Sequence, residues 1–116
     1  MNFSEEQMTK LKRVFGDVKV LNEGGVGYIY IPNLHLPEGC KPELVDVLFC
    51  PTARDGYSSR LFLSERITGC PTRNWNSNVR ILDRTWHAVS WRIPDEQQLY
   101  ETIMYHLNAF DTDVAA

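Results

Sequence analysis

Two periodicities divide the chain. Near the N-terminus Met8, Leu11, Val14 and Phe15 recur at helical spacing, which predicts an amphipathic helix over residues 4–15. Ser4 is placed to cap it, Gln7 completes a capping box, and Phe3 and Met8 form a hydrophobic staple. Gly16 is the expected stop. Near the other end Leu99, Ile103, Leu107 and Phe110, with Met104, give a second helical stripe. Pro94 suits the first turn of that helix, and Asp95 and Glu96 complement its dipole.

Between the helices the period falls to two. DVKVLN reads as a strand that turns at Gly24-Gly25. VGYIYI follows, with Ile29 and Ile31 on one side and Tyr28 and Tyr30 on the other. Pro32 is expected to end that strand or confine it to an edge, because proline cannot donate to a ladder. LHLPEG leads into a loop. ELVDVLF is the next strand, with Val45, Val47 and Phe49 on one face; PTARDGY is a turn and RLFLSERI another strand. Residues 68–78, TGCPTRNWNSN, carry the loop signature of glycine, proline and three asparagines. VRILDRTWHAVSWRI then resumes as a hairpin or a broken strand. The expectation is a single α+β domain over residues 4–110: a helix, an antiparallel meander of about four strands, an irregular crossover and a C-terminal helix. The tail, 111–116, reads as frayed.

Composition narrows the class. At 116 residues, 43% hydrophobic and 23% charged, the chain is long enough for one core and ordinary for a globular protein. A net charge of −3 supplies no basic field for nucleic acid. No apolar run approaches the roughly 20 residues that span a bilayer, and MNFSEEQ lacks the features of a signal peptide. These readings point to a cytoplasmic protein. Gly24-Gly25-Val26-Gly27 has neither the spacing nor the strand-to-helix setting of a phosphate loop, so no organic cofactor is expected. His35, His87 and His106 do not pair with cysteine at metal-ligand spacing, so no metal is expected either.

The order of segments resembles the ubiquitin-conjugating enzyme (UBC-fold) superfamily, and more closely its compact branch encoded beside bacterial ubiquitin-like proteins. The resemblance rests on the first helix, on LPEGCKPELVDVLFCPTARDGYSSRLFL, on TWHAVSWR with Trp86 and Ser90, and on the last helix. Within it a strand ends in Pro51, a turn holds Gly56 and Tyr57, and the next strand brings Leu61 to Leu63. The resemblance implies a UBC-like fold and a role in carrying or positioning a ubiquitin-like protein for transfer through a (thio)ester. The partners it implies are that protein and its activating enzyme. The alternatives are a non-catalytic adaptor for the same partners, or an unrelated small α+β interaction protein. The family's His-Pro-Asn motif is absent.

Thioester chemistry needs an accessible thiolate and a donor for the developing oxyanion. The region after RLFLSER holds Cys70, with Asn74, Asn76 and Asn78 close in sequence. Cys70 is thus the candidate nucleophile or a bystander thiol, and Asn74 and Asn76 are candidate donors. Arg66 or Arg73 nearby would favour the thiolate. His87 is either a general base near a substrate lysine or a packed histidine. Cys50, at the end of an apolar strand, reads as core, and Cys40 as an incidental loop cysteine. Asp46, Asp55 and Asp83 are candidates for orienting an amine. Trp75, Trp86 and Trp91 read as anchors, with Trp75 a binding hot spot should it be exposed. The basic residues Lys10, Lys12 and Arg13 form either a docking patch or a solvated face.

Overall fold

The computed structural model describes residues 5–52, 59–69, 75–89 and 99–110. Helix α1 spans Glu5–Phe15, and six strands follow: β1 (Lys19–Glu23), β2 (Val26–His35), β3 (Leu44–Cys50), β4 (Arg60–Leu63), β5 (Trp75–Ile81) and β6 (Arg84–Val89). Helix α2 (Leu99–Leu107) runs into a 3-10 turn, Asn108–Phe110. All strand pairs are antiparallel, in the order β1-β2-β3-β4-β6-β5.

This arrangement overturns the expected UBC-like fold with its meander of about four strands. Among the described residues there are six strands, and they form a half-barrel. The difference arises in two places. Residues 75–78, which their Asn/Trp content assigns to a crossover, belong to strand β5, which pairs with β6 through a turn at Leu82 and Asp83, both at positive φ. That geometry is the tight hairpin turn that follows the twist of its strands. The hairpin then folds back so that β6, not β5, lies beside β4.

Two register shifts reset the side-chain alternation. In β2 the shift lies between Ile31 and Leu34, where Asn33 has φ 52. The strand does not end at Pro32. The β1 ladder stops at Lys19↔Tyr30, so among the described strands Pro32 has β3 alone beside it, in keeping with the expected edge position. There the bulge removes the need for the donor that proline lacks. It also keeps Ile29, Ile31 and Leu34 on one face. In β5 the shift between Trp75 and Ser77 turns Trp75 onto the helix-covered face against Phe110, their rings 5.9 Å apart, while Val79 and Ile81 face the other way. The anchoring reading of Trp75 and Trp86 thus agrees with the structure.

Both faces of the central strands are buried. Ile29, Ile31, Val47, Phe49, Leu61 and Leu63 meet Leu11 of α1 and Ile103, Leu107 and Phe110 of the C-terminal segment. Tyr28, Leu48, Cys50, Phe62, Trp86 and Ala88 pack on the opposite face. Burial on both sides explains why β4 reads as the apolar run RLFL rather than as an alternation. The carboxylate of Glu23, at the end of β1, accepts the Leu82 N–H, tying the first hairpin to the last. Gly16 ends α1, its N–H donating to the Lys12 carbonyl.

Candidate functional site

The helices meet at the N-terminus of α2. There the Leu99 N–H donates to Gln7 Oε1 at 2.9 Å, satisfying one of the donors that a first helical turn leaves open. Phe15 and Tyr100 stack at 6.1 Å, and Lys10 Nζ lies 4.8 Å above the Tyr100 ring. Beside this contact a cleft of about 310 Å³ opens between α1, α2 and β2. Val14 and Phe15 form one wall, Tyr100, Met104 and Leu107 the other, and Asn33, Leu34 and His35 close the end. Val14 is 49% exposed and Met104 38%, so both predicted core positions lie at a surface. A second recess runs along the outer face of α1 past Glu6, Thr9, Lys10, Arg13 and Val14. Among the described residues Lys12 and Arg13 have no ion-pair partner.

A polar cluster lies on the same helix, facing inward. Ser59 Oγ and His106 Nε2 are 2.9 Å apart, and both residues are buried. Phe49 packs edge-on against the imidazole at 5.9 Å. The neighbouring Arg60 is also buried and donates from Nη2 to the Val89 carbonyl at 2.9 Å. Burial, reinforced by the Arg60 charge, pushes the His106 pKa down to about 4, so the ring is neutral near pH 7. A hydroxyl beside a neutral imidazole is the first link of a nucleophile–base pair. Here Ser59 is 5% and His106 6% exposed, so among the described residues a substrate has no approach to them. The pair ties α2 to the end of β4.

Asp46, on β3, holds a third constellation. Its Oδ1 accepts the Asn33 N–H at 3.0 Å, and its Oδ2 meets Arg84 Nη2 at 2.8 Å. Its own N–H donates to Ser64 Oγ. Partial burial alone would raise its pKa, but the Asn33 N–H and the Arg84 guanidinium together hold it below the usual carboxylate value. Arg84 also lies 4.9 Å over the Trp86 ring, which meets Tyr30 edge-on. Asp46 therefore fastens the β2 bulge to the start of β6.

Of the catalytic candidates Cys70, Asn74, Asn76 and His87, only His87 and the backbone of Asn76 lie among the described residues. Cys70 and Asn74 lie outside the described residues, as do Arg73, Asp55, Trp91 and Ser90. Asn76 is on edge strand β5, and only its backbone is described. His87, on β6 opposite Leu63 and Asn78, is half-buried, and its enclosed Nδ1 has no hydrogen-bond partner among the described residues. Cys50 is core as expected. Cys40 is core too, contrary to expectation: it is 1% exposed, and its Sγ donates to the Phe110 carbonyl at 3.4 Å.

Sequence reading missed the cleft and the Ser59–His106 pair. A signal for the cleft was present. In α2 the stripe Leu99–Ile103–Leu107 runs beside a second one, Tyr100–Met104, giving an apolar arc wider than one face of a sheet covers. Nothing local joins Ser59 to His106 across 47 positions. Among the described residues no helix is long and apolar enough to cross a membrane, and no three His, Cys, Asp or Glu residues are grouped to hold a metal ion. No family model, curated protein or solved structure matches the chain, so the site is read from its own geometry.

Proposed function

We propose that this protein is a protein-binding module whose working surface is the cleft between α1, α2 and β2. The observation that carries this reading is the shared exposure of Val14 and Met104 on the walls of one recess. Apolar side chains gathered in a concavity keep surface in water that a partner's side chain would cover. The rigid aromatic Tyr100, held by Phe15 and Lys10, supplies an anchor of the kind that dominates interface energetics. The partners to test first are those the sequence resemblance implies, a ubiquitin-like protein and its activating enzyme, in a cytoplasmic setting. Titration calorimetry with each of them is expected to show binding that Met104→Glu or Val14→Glu abolishes while leaving the fold intact. Unchanged binding in both variants would place the interface elsewhere.

A second reading, transfer of a ubiquitin-like protein through a thioester, is favoured by the fate of the cysteines. Cys40 and Cys50 are each 1% exposed with Sγ bonded to a carbonyl, so cysteine chemistry falls to Cys70. The chain just before it is pinned: Thr68 and Lys41 exchange two backbone hydrogen bonds of 2.7 and 2.9 Å. Gly69 sits so close to the Gly39 carbonyl that a Cβ there would lie 2.4 Å from the oxygen. A nucleophile needs such a fixed base. Incubation with activating enzyme, ubiquitin-like protein and ATP, followed by a non-reducing gel, would reveal a thiol-sensitive adduct. Its loss in Cys70→Ala would establish this reading, and its absence from the wild type would remove it.

A further inference from the structure

β1 is an edge of the sheet, and four of its five residues are exposed, Val20 at 39%. Its hydrogen-bonding pattern follows from its turn. Gly24 and Gly25, with φ 59 and 80, make a two-residue hairpin loop. The pair that closes such a loop is hydrogen-bonded, and bonded pairs alternate along the strands. Glu23↔Val26, Leu21↔Tyr28 and Lys19↔Tyr30 are therefore the bonded pairs. The N–H and C=O groups of Val20 and Asn22 point away from the sheet, a ready template for another strand.

We propose that β1 pairs antiparallel with β1 of a second copy of this chain, about a two-fold axis at Leu21. The sequence Lys19-Val20-Leu21-Asn22-Glu23 is self-complementary in this register. Val20 of each copy lies opposite Asn22 of the other, so the outward groups exchange four backbone hydrogen bonds. Lys19 of each copy lies opposite Glu23 of the other on the face that carries Tyr28 and Tyr30, and the two Leu21 side chains meet at the axis between these charge pairs. Opposite charges directly across an antiparallel pair stabilise it and like charges oppose it. A one-residue slip would lose both charge pairs and turn the outward groups away. Glu23 keeps its bond to Leu82 through Oε2, leaving Oε1 for the lysine. The interface is isologous and closes at two copies.

Sedimentation velocity across a concentration series reaching the millimolar range tests this. The wild type is expected to pass from monomer to dimer. Lys19→Glu and Glu23→Lys, each alone, set like charges opposite one another and are expected to weaken the dimer at least about tenfold. An equimolar mixture of the two variants restores both charge pairs and is expected to dimerise as the wild type does, which a folding defect would not produce. Val20→Pro removes an outward N–H that β2 does not use and is expected to give the same loss without changing charge. A wild type that stays monomeric would overturn the proposal and leave the edge to other proteins. Variants that dimerise like the wild type, or a mixture no tighter than its components, would also overturn it.

Discussion

Helix α2 carries a buried histidine and an exposed methionine two positions apart, and the regions to which they belong invert the usual placement of polar and apolar groups. His106 faces Ser59, Phe49 and the Arg60 charge, enclosed and hydrogen-bonded. Met104 faces a cleft whose other wall, Val14, is half exposed. The difference teaches that residue type alone does not mark a site. The Ser59–His106 pair has catalytic ingredients but, among the described residues, no approach for a substrate, and it ties α2 to the sheet. The cleft is lined mainly by apolar side chains, with His35 at its end, and it leaves apolar surface uncovered, the feature on which the proposed binding role rests.

The largest effect expected lies on the closed side. His106→Ala should cost about 3–5 kcal/mol, since it opens a cavity and strips the buried Ser59 hydroxyl of its partner; chemical denaturation measures it. A loss below about 1 kcal/mol would mean that the pair is not what fastens α2.

The same histidine predicts a pH dependence with a definite sign. Its folded pKa of about 4 lies below its ordinary 6.5, so between these values the unfolded chain binds more protons. Stability from this group is complete above pH 6.5, falls as pH drops towards 4, and changes no further below that. The fall amounts to at most about 3 kcal/mol. Denaturation midpoints at pH 7 and 4.5 should converge in His106→Gln; a wild type with equal midpoints would contradict the burial argument.

Asp46 is intermediate, polar and partly exposed. Asp46→Asn should cost about 1 kcal/mol, because the Arg84 pair is solvent-screened and the asparagine oxygen can still accept from Asn33. Thermal melting should also show this loss shrinking in high salt. The smallest stability effect belongs to the open side. Met104→Glu should change stability by less than about 0.5 kcal/mol while removing partner binding. A large destabilisation would mean that Met104 belongs to the core after all.

Much of the scaffold was legible because it is locally encoded. The spacing of Met8, Leu11 and Phe15 gives α1, the alternation around Tyr28 to Ile31 gives β2, and Val45, Val47 and Phe49 give β3. What was not legible depends on compensation at a distance. Pro32 and Asn33 stay inside β2 because a bulge and the Asp46 carboxylate accommodate them. Asn76 and Asn78 sit in a strand because β6 supplies the ladder that their propensity opposes. The six-stranded order depends on which edge the last hairpin joins, which no local pattern records. The candidate site was half legible: Val14 and Met104 stood out as apolar, but only the packing shows that the sheet does not reach them.

The most direct test of the account is calorimetric titration of the two proposed partners, a ubiquitin-like protein and an activating enzyme, into the wild type, Met104→Glu and Cys70→Ala. The account predicts that each proposed partner binds the wild type and Cys70→Ala equally and fails to bind a folded Met104→Glu. Binding that survives Met104→Glu unchanged, or is absent with either partner, would contradict it.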